Sequence, residues 1–350
     1  MKILLTVVMT VWVSAAATAT ASPFMYVPTG DADDLVVIDL DEDKVVGRIG
    51  ELENAHGLAA SPNSEYLVAG SMQPVEGGAA EDMSKPASVS EDEHAAHHAG
   101  GDAAAMKSPA YLSIIEPRRG HVIRRVAVPA LAHHTAISPD GKHAIAVHSG
   151  AGGISVVDLN TMEAVKTIQT GALPNYAVFS GDGRYLYVSN AGAGSVSEID
   201  THDWRIRRQL TAGNGPEHLV LSPDGARLFV ADVDDGTVIG VNLKSGALTN
   251  RFDVGAEPHG IDISTDGRWL FVSSKSDQTL SRIDLTDNSV GKIDLQPAPY
   301  HVVYVAAVSK LYVSSREAAK IWVLDPAGMN VVAEIDIGRG VAHQMVIRPQ

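Results

Sequence analysis

Ile261-Asp262-Ile263-Ser264-Thr265-Asp266-Gly267-Arg268-Trp269-Leu270-Phe271-Val272-Ser273-Ser274 is the stretch on which the fold turns. An apolar run enters a Ser-x-Asp-Gly turn, and a run of aromatic and β-branched residues leaves it. That is the pattern of two strands joined by a tight hairpin. A third run ends in an acid, Leu280-Ser281-Arg282-Ile283-Asp284, and a fourth follows in Val290-Gly291-Lys292-Ile293-Asp294. The unit recurs along the chain. Turn serines stand at Ser61, Ser138, Ser180, Ser222 and Ser264, spaced by 77, 42, 42 and 42 residues, and Val305 and Arg348 occupy the same place in two degenerate copies spaced by 41 and 43. A four-strand repeat of this length is a propeller blade.

Counting turns predicts an all-β chain: a seven-bladed β-propeller with four antiparallel strands per blade. The last copy has no sheet after it, while three strands near 24–28, 35–40 and 44–50 precede the first complete unit. The C-terminal strand is therefore expected to complete the N-terminal blade and close the ring, which leaves no open terminal sheet. The spacing of 77 marks an insertion of 35 residues. With its flanks (71–109) it is rich in Ala, Gly, Ser and acids and poor in large apolar residues. Such a composition predicts a disordered loop within the second blade.

The 350 residues carry 27 Lys+Arg against 42 Asp+Glu, a formal net charge of −15. That balance disfavours nucleic acid as a partner. The chain has 14 His and no Cys. Disulfides, thiolate metal sites, cysteine nucleophiles and covalent c-type haem attachment are thereby excluded. At the start, Lys2, an apolar run from Ile3 to Val13 and the small-residue end Ala19-Thr20-Ala21 have the layout of a secretory signal peptide. Cleavage after Ala21 is expected to leave a propeller over 22–350, periplasmic or secreted, soluble and without membrane insertion.

The histidines are not scattered. Each junction between one blade's fourth strand and the next blade's first strand has two residues lying five and four places before the turn serine. They are His56-Gly57, His133-His134, Asn175-Tyr176, Glu217-His218, His259-Gly260, Tyr300-His301 and His343-Gln344. Seven of the 14 His fall in these 14 positions, where composition alone would place fewer than one. The first strand of each blade lines the central channel, so these rings are expected to converge at one mouth. A ring of imidazoles suits a metal ion, a haem iron or, when protonated, an anion. Lys275 and Arg316 end second strands on the same face and are candidates to hold carboxylates of a substrate or cofactor.

The insertion enters by the hairpin between the second and third strands of its blade, which topology puts on the same face. It carries Met83, His94, His97, His98 and Met106. Imidazole with thioether suits copper, and imidazole with carboxylate suits zinc. These five residues are candidate metal ligands, although a His-bearing low-complexity tract is compositional information only.

Tyr187-Val188-Ser189-Asn190, Phe229-Val230-Ala231-Asp232 and Tyr312-Val313-Ser314-Ser315, with Gly255-x-x-Pro-His-Gly260 and the Ser-Pro-Asp-Gly turns, resemble the Tyr-Val-Thr-Asn repeat. Over nearly the whole mature chain the sequence resembles the YVTN family of β-propellers. That family is similar to the d-type haem domain of cytochrome nitrite reductase and to lactonase-like propellers. The resemblance implies junction histidines that meet a cofactor, best matched by His56, His133, His259 and His343 and less closely by His134, His218 and His301. A propeller scaffold does not specify function, which must come from the site. The leading expectation is an exported binder of a metal ion (copper or zinc) or of a d-type haem-like group. It would act as a carrier, assembly factor or redox accessory, with a periplasmic redox partner for any electron transfer, and would not be an enzyme on its own. The alternatives are a non-catalytic interaction scaffold and a lactonase-type hydrolase using Glu217 and His218, with Arg316 on the carboxylate.

Overall fold

The computed structural model describes residues 23–60, 65–75 and 105–348. Seven four-stranded antiparallel sheets follow one another along the chain. Blade one comprises Phe24–Pro28, Leu35–Asp39 and Lys44–Ile49, joined by the C-terminal strand Val346–Arg348. Blade two is Ala55–Ala60, Leu67–Ser71, Ala110–Glu116 and His121–Val128, and blade three is His134–Ile137, His143–His148, Gly153–Asp158 and Glu163–Gln169. Blades four to seven begin with the inner strands Pro174–Phe179, Pro216–Leu221, Pro258–Ile263 and Pro299–Val305. The seven-bladed expectation and the closure both hold: Phe24, Met25 and Tyr26 pair antiparallel with Arg348, Ile347 and Val346.

The repeated turn explains its own sequence. In blades three to six the serine hydroxyl donates to the turn aspartate, as Ser180 does to Asp182 at 2.6 Å. The same Oγ accepts the first N–H of the next strand, as from Tyr185 at 2.9 Å. The glycine after the aspartate sits at positive φ, +71° at Gly183, which a side chain would oppose. One short motif thus satisfies three polar groups and sets the hairpin.

Apolar side chains of neighbouring blades meet between the sheets. There are seven such clusters, one at each blade interface. The interface of blades six and seven joins Phe271, Leu280 and Leu295 to Val302, Leu311, Val313 and Trp322. Fourth strands form the outer rim and leave Val46, Val165, Val331 and Val332 exposed. At the closing blade, buried Asp34 accepts from Thr29 (2.6 Å), Arg48 (2.9 Å) and Arg339 (2.6 Å). That junction ties a loop from each end of the chain to blade one.

Candidate functional site: an imidazole cluster in the channel mouth

The inner strands share an irregularity. In blades two, four, five, six and seven the pairing with the second strand skips between Ala55 and Leu58, Pro174 and Ala177, Pro216 and Leu219, Pro258 and Ile261, and Pro299 and Val302. The two skipped residues are the junction dipeptide in every case. A bulge takes residues out of the ladder and re-aims their side chains, here into the channel. The backbone N–H that the bulge leaves over is collected by the serine of the Tyr-Val-Ser motif. Ser189 Oγ accepts from Tyr176, Ser273 Oγ from Gly260 and Ser314 Oγ from His301, each at 3.0 Å. The residue after this serine holds the loop leading into the dipeptide. Ser274 donates to Val254 O at 2.8 Å, Ser315 to Pro297 O at 2.7 Å and Ser71 to Glu53 O at 2.6 Å. These serines are positioning residues that the sequence reading used only as a fold signature.

The junction residues form two tiers. His56, His133, Glu217, His259, Tyr300 and His343 line a cavity of about 420 Å³ at the channel mouth, together with Met72, Met106, Lys275 and Arg316. His134, His218 and His301 do not line that cavity. Gly57 and Gly260 keep neighbouring inner strands in close approach. A Cβ on Gly57 would stand 2.6 Å from His134 Cα, and one on Gly260 would stand 2.4 Å from Tyr300 O. Any side chain there would displace His134 or His301.

All seven junction imidazoles come together. Ring centroids are 3.9 Å apart for His56–His343, 4.0 Å for His218–His259, 4.2 Å for His133–His134, 4.5 Å for His56–His133, 4.8 Å for His134–His218 and 5.0 Å for His259–His301. Tyr176 lies 4.4 Å from His218, and Tyr300 stacks on His259 at 4.1 Å. Two triads, His56–His133–His134 and His134–His259–His301, have ligand atoms within 4.8 Å of one another.

Contacts to neighbouring oxygens fix the proton on two of the rings and orient a third. His56 Nδ1 donates to His133 O at 3.1 Å, and His134 Nδ1 donates to Asn175 O at 2.8 Å. A carbonyl oxygen only accepts, so in both rings the proton is on Nδ1 and the lone pair on Nε2. His259 Nδ1 lies 3.3 Å from Oε2 of buried Glu217, the carboxylate–imidazole pairing that fixes a ligand's tautomer. Burial, then repulsion from neighbouring rings, holds His56, His218 and His301 well below the ordinary imidazole range. Burial and Arg316 bring His343 down to about 3. At neutral pH these four rings are uncharged, so they are poor anion receptors and competent metal ligands.

The remaining residues read as follows. Lys275 is engaged, 3.0 Å from Glu257 Oε2. Arg316 lies over the Tyr300 ring, 5.5 Å from its centroid. Arg339 belongs to the Asp34 cluster. His148, a reserve ligand by its place at the end of a second strand, has Nδ1 on Leu131 O at 3.1 Å and Nε2 on Ser155 Oγ at 2.8 Å. It holds its own loop, as the serines do in other blades. Met106 packs into the core between blades two and three and also borders the cavity. Met83, His94, His97 and His98 lie outside the described residues, as does the N-terminal segment 1–22. Among the described residues no helix is long and apolar enough to cross a membrane.

A family model described as a YNCE-like beta-propeller matches residues 95–258, a little under half of the chain. The match is to a propeller family, in keeping with the seven four-stranded sheets of the fold. No curated protein matches in sequence. Among solved structures, the chain is similar to hydrazine synthase from Kuenenia stuttgartiensis, with a TM-score of 0.67 and 16% identity over 90% of this chain and 99% of that one. It is similar to the periplasmic gluconolactonase of Pseudomonas aeruginosa, with 0.67 and 17% over 93% and 99%. A protein of Desulfotomaculum acetoxidans described as functionally unknown gives 0.71 and 14% over 94% and 100%. At these identities the likeness concerns the fold.

Proposed function

We propose that the channel mouth holds a divalent first-row transition ion, copper or zinc, on imidazole Nε2 atoms, and that the protein is an exported carrier or accessory for that ion. One observation carries this reading: His56, His134 and His259 each commit Nδ1 to an oxygen acceptor, which turns a second nitrogen toward the other rings of the cluster. Metal-binding histidines are ordinarily oriented in this way. The uncharged state of the buried rings supports the same reading, since a proton on Nε2 competes with a metal. Glu217 supplies one negative charge beside an otherwise neutral donor set, and Met72 and Met106 put thioethers on the cavity wall.

A d-type haem fits these residues poorly. An axial imidazole needs a flat slot for the macrocycle in front of it, and here His134, His218 and His301 have neighbouring rings at 4.2, 4.0 and 5.0 Å, while His56 packs tilted against His343 and edge to face against His134. A bare ion needs only small movements to draw three nitrogens together. Any redox partner in the periplasm would then meet the metal at the mouth, where His56, His133, His259 and His343 come to the cavity.

The test is metal analysis of protein purified without chelators, followed by calorimetric titration of the metal-free protein with Zn²⁺ and with Cu²⁺. Uptake in the channel is expected, with a rise in unfolding temperature; at free metal one hundred times Kd the stabilisation is about 2.7 kcal/mol. No uptake of either ion would overturn the reading. The scaffold alternative expects alanine at His259 to change stability alone. A second reading as a hydrolase rests on the Glu217–His259 pair facing Arg316 across an open mouth. It replaces His218 of the lactonase-type alternative by His259, because Glu217 contacts His259 and His218 does not line the cavity. Turnover of a lactone by metal-free protein would favour it.

A further inference from the structure

The two imidazole triads share one residue. His134 belongs both to the set with His56 and His133 and to the set with His259 and His301. Its Nδ1 is occupied by the proton it donates to Asn175 O at 2.8 Å, so it offers a single lone pair, on Nε2. One lone pair serves one metal ion. The triads therefore cannot both be filled through His134 at once, although seven imidazoles are present.

The triads are also not equivalent in place. His56 and His133 are both on the cavity wall, next to Met72 and Met106, the described residues that flank the insertion. Met72 is tied to the same loop as His56 through its N–H to Asn54 O at 3.0 Å. His259 reaches the wall too, but its partner His301 does not, and His259 Nδ1 is held by Glu217. The first triad thus has two residues on the wall and the second has one, and in that sense the first is the outer triad and the second the inner. In each the nitrogens lie within 4.8 Å, and tetrahedral zinc with Zn–N bonds of about 2.0–2.1 Å would bring them to about 3.3 Å. Closing one triad draws His134 away from the other.

We propose, on the basis of the metal-binding reading above, that the channel takes one ion at a time in two exchangeable positions, with His134 as the ligand common to both. The ion enters on His56, His133 and His134. It moves inward when two metal–nitrogen bonds, to His56 and His133, are replaced by two, to His259 and His301, while the bond to His134 Nε2 persists. The ion's charge and the protonation of every ring are unchanged by the transfer. No step requires the ion to leave the protein, so capture at the mouth and retention in the interior are properties of one continuous donor set.

Co²⁺ titration of the full-length protein tests this, followed by the visible ligand-field spectrum and by equilibrium dialysis. His94, His97 and His98 are replaced by alanine throughout, so that only the channel is counted. Expected are one Co²⁺ per chain, a loss of more than about 100-fold in affinity for His134→Ala, and retention of one ion by His56→Ala and by His301→Ala separately. In His301→Ala the affinity falls by about 10-fold and the spectrum changes as the ion shifts to the outer triad. In His56→Ala the affinity is close to wild type and uptake in stopped flow is slower. Two Co²⁺ bound tightly per chain, or wild-type affinity in His134→Ala, would overturn the shared-ligand proposal while leaving the metal-binding reading intact. Absence of any bound Co²⁺, Zn²⁺ or Cu²⁺ would overturn both. The wild-type stoichiometry decides the matter even if His134→Ala fails to fold.

Discussion

The spaces between the blades and the channel mouth are both buried, and they are built on opposite principles. Between blades, Trp322, Phe271 and Leu311 meet apolar partners, and every contact is of the kind that burial favours. In the mouth, imidazoles meet imidazoles, and burial is tolerated because buried rings stay neutral and Nδ1 of His56, His134 and His259 faces an oxygen. His148 makes the contrast sharper. It is as fully buried as His134, and both of its nitrogens are used inside its own blade. Burial of a histidine does not mark a site; the direction of its remaining lone pair does. The fold is held between the blades, and the channel is left to chemistry.

The largest effect should come from the blade interface. Trp322→Ala is expected to cost about 3–5 kcal/mol in denaturant unfolding. A cost under about 1 kcal/mol would show that the interfaces do not carry the stability.

Acid should next expose the mouth. Burial holds His148 at about 4 and His343 at about 3, and His56, His218 and His301 well below 6.5. The unfolded chain protonates these rings below pH 6.5, while the folded chain stays neutral to about 4. The unfolded state then binds more protons, so stability is full above 6.5 and falls as pH drops from 6.5 toward 4. Asp262, pushed up to about 6 by burial, and Asp232, also raised by burial, act in the opposite sense, but they are two groups against five. Unfolding midpoints of metal-free protein at pH 7.5, 6 and 5 should decline; a flat profile would remove the contrast between the mouth and an ordinary core.

Glu217→Ala should lower metal affinity by about 10–100-fold through the loss of His259 orientation, with Glu217→Gln recovering part of it. Equal affinities for all three would show that the carboxylate does not set the tautomer. The smallest effect is expected for Ser314→Ala, which strands the His301 N–H at a cost of about 1 kcal/mol. If its metal affinity falls no more than that of Ser113→Ala, a buried serine in the third strand of blade two, the Tyr-Val-Ser serine only stabilises the sheet.

Much of this was readable in order of residues. The turn serines at one spacing, the orphan strands at the start and the strand at the end prescribed seven blades and their closure. The recurrence of His at one register position prescribed a common mouth. The lactonase-type alternative gave Glu217 and His218 separate roles in one site. In the fold the bulge points them to different tiers, and Glu217 meets His259 from the next blade. Lys275 looked like a free cation and stands beside Glu257, two positions before the histidine of its own blade.

What the residues determined by themselves was periodic: strand, turn, blade number and the register of the histidines. These depend on local backbone preferences and on alternation of apolar and polar side chains, which are written along the chain. The tertiary structure alone decided which rings face one another, that His134 is common to two triads and that both nitrogens of His148 are taken up by Leu131 O and Ser155 Oγ. Those facts depend on Asn175, Glu217 and Leu131 supplying oxygens across strands or loops, at distances that no spacing in the sequence encodes.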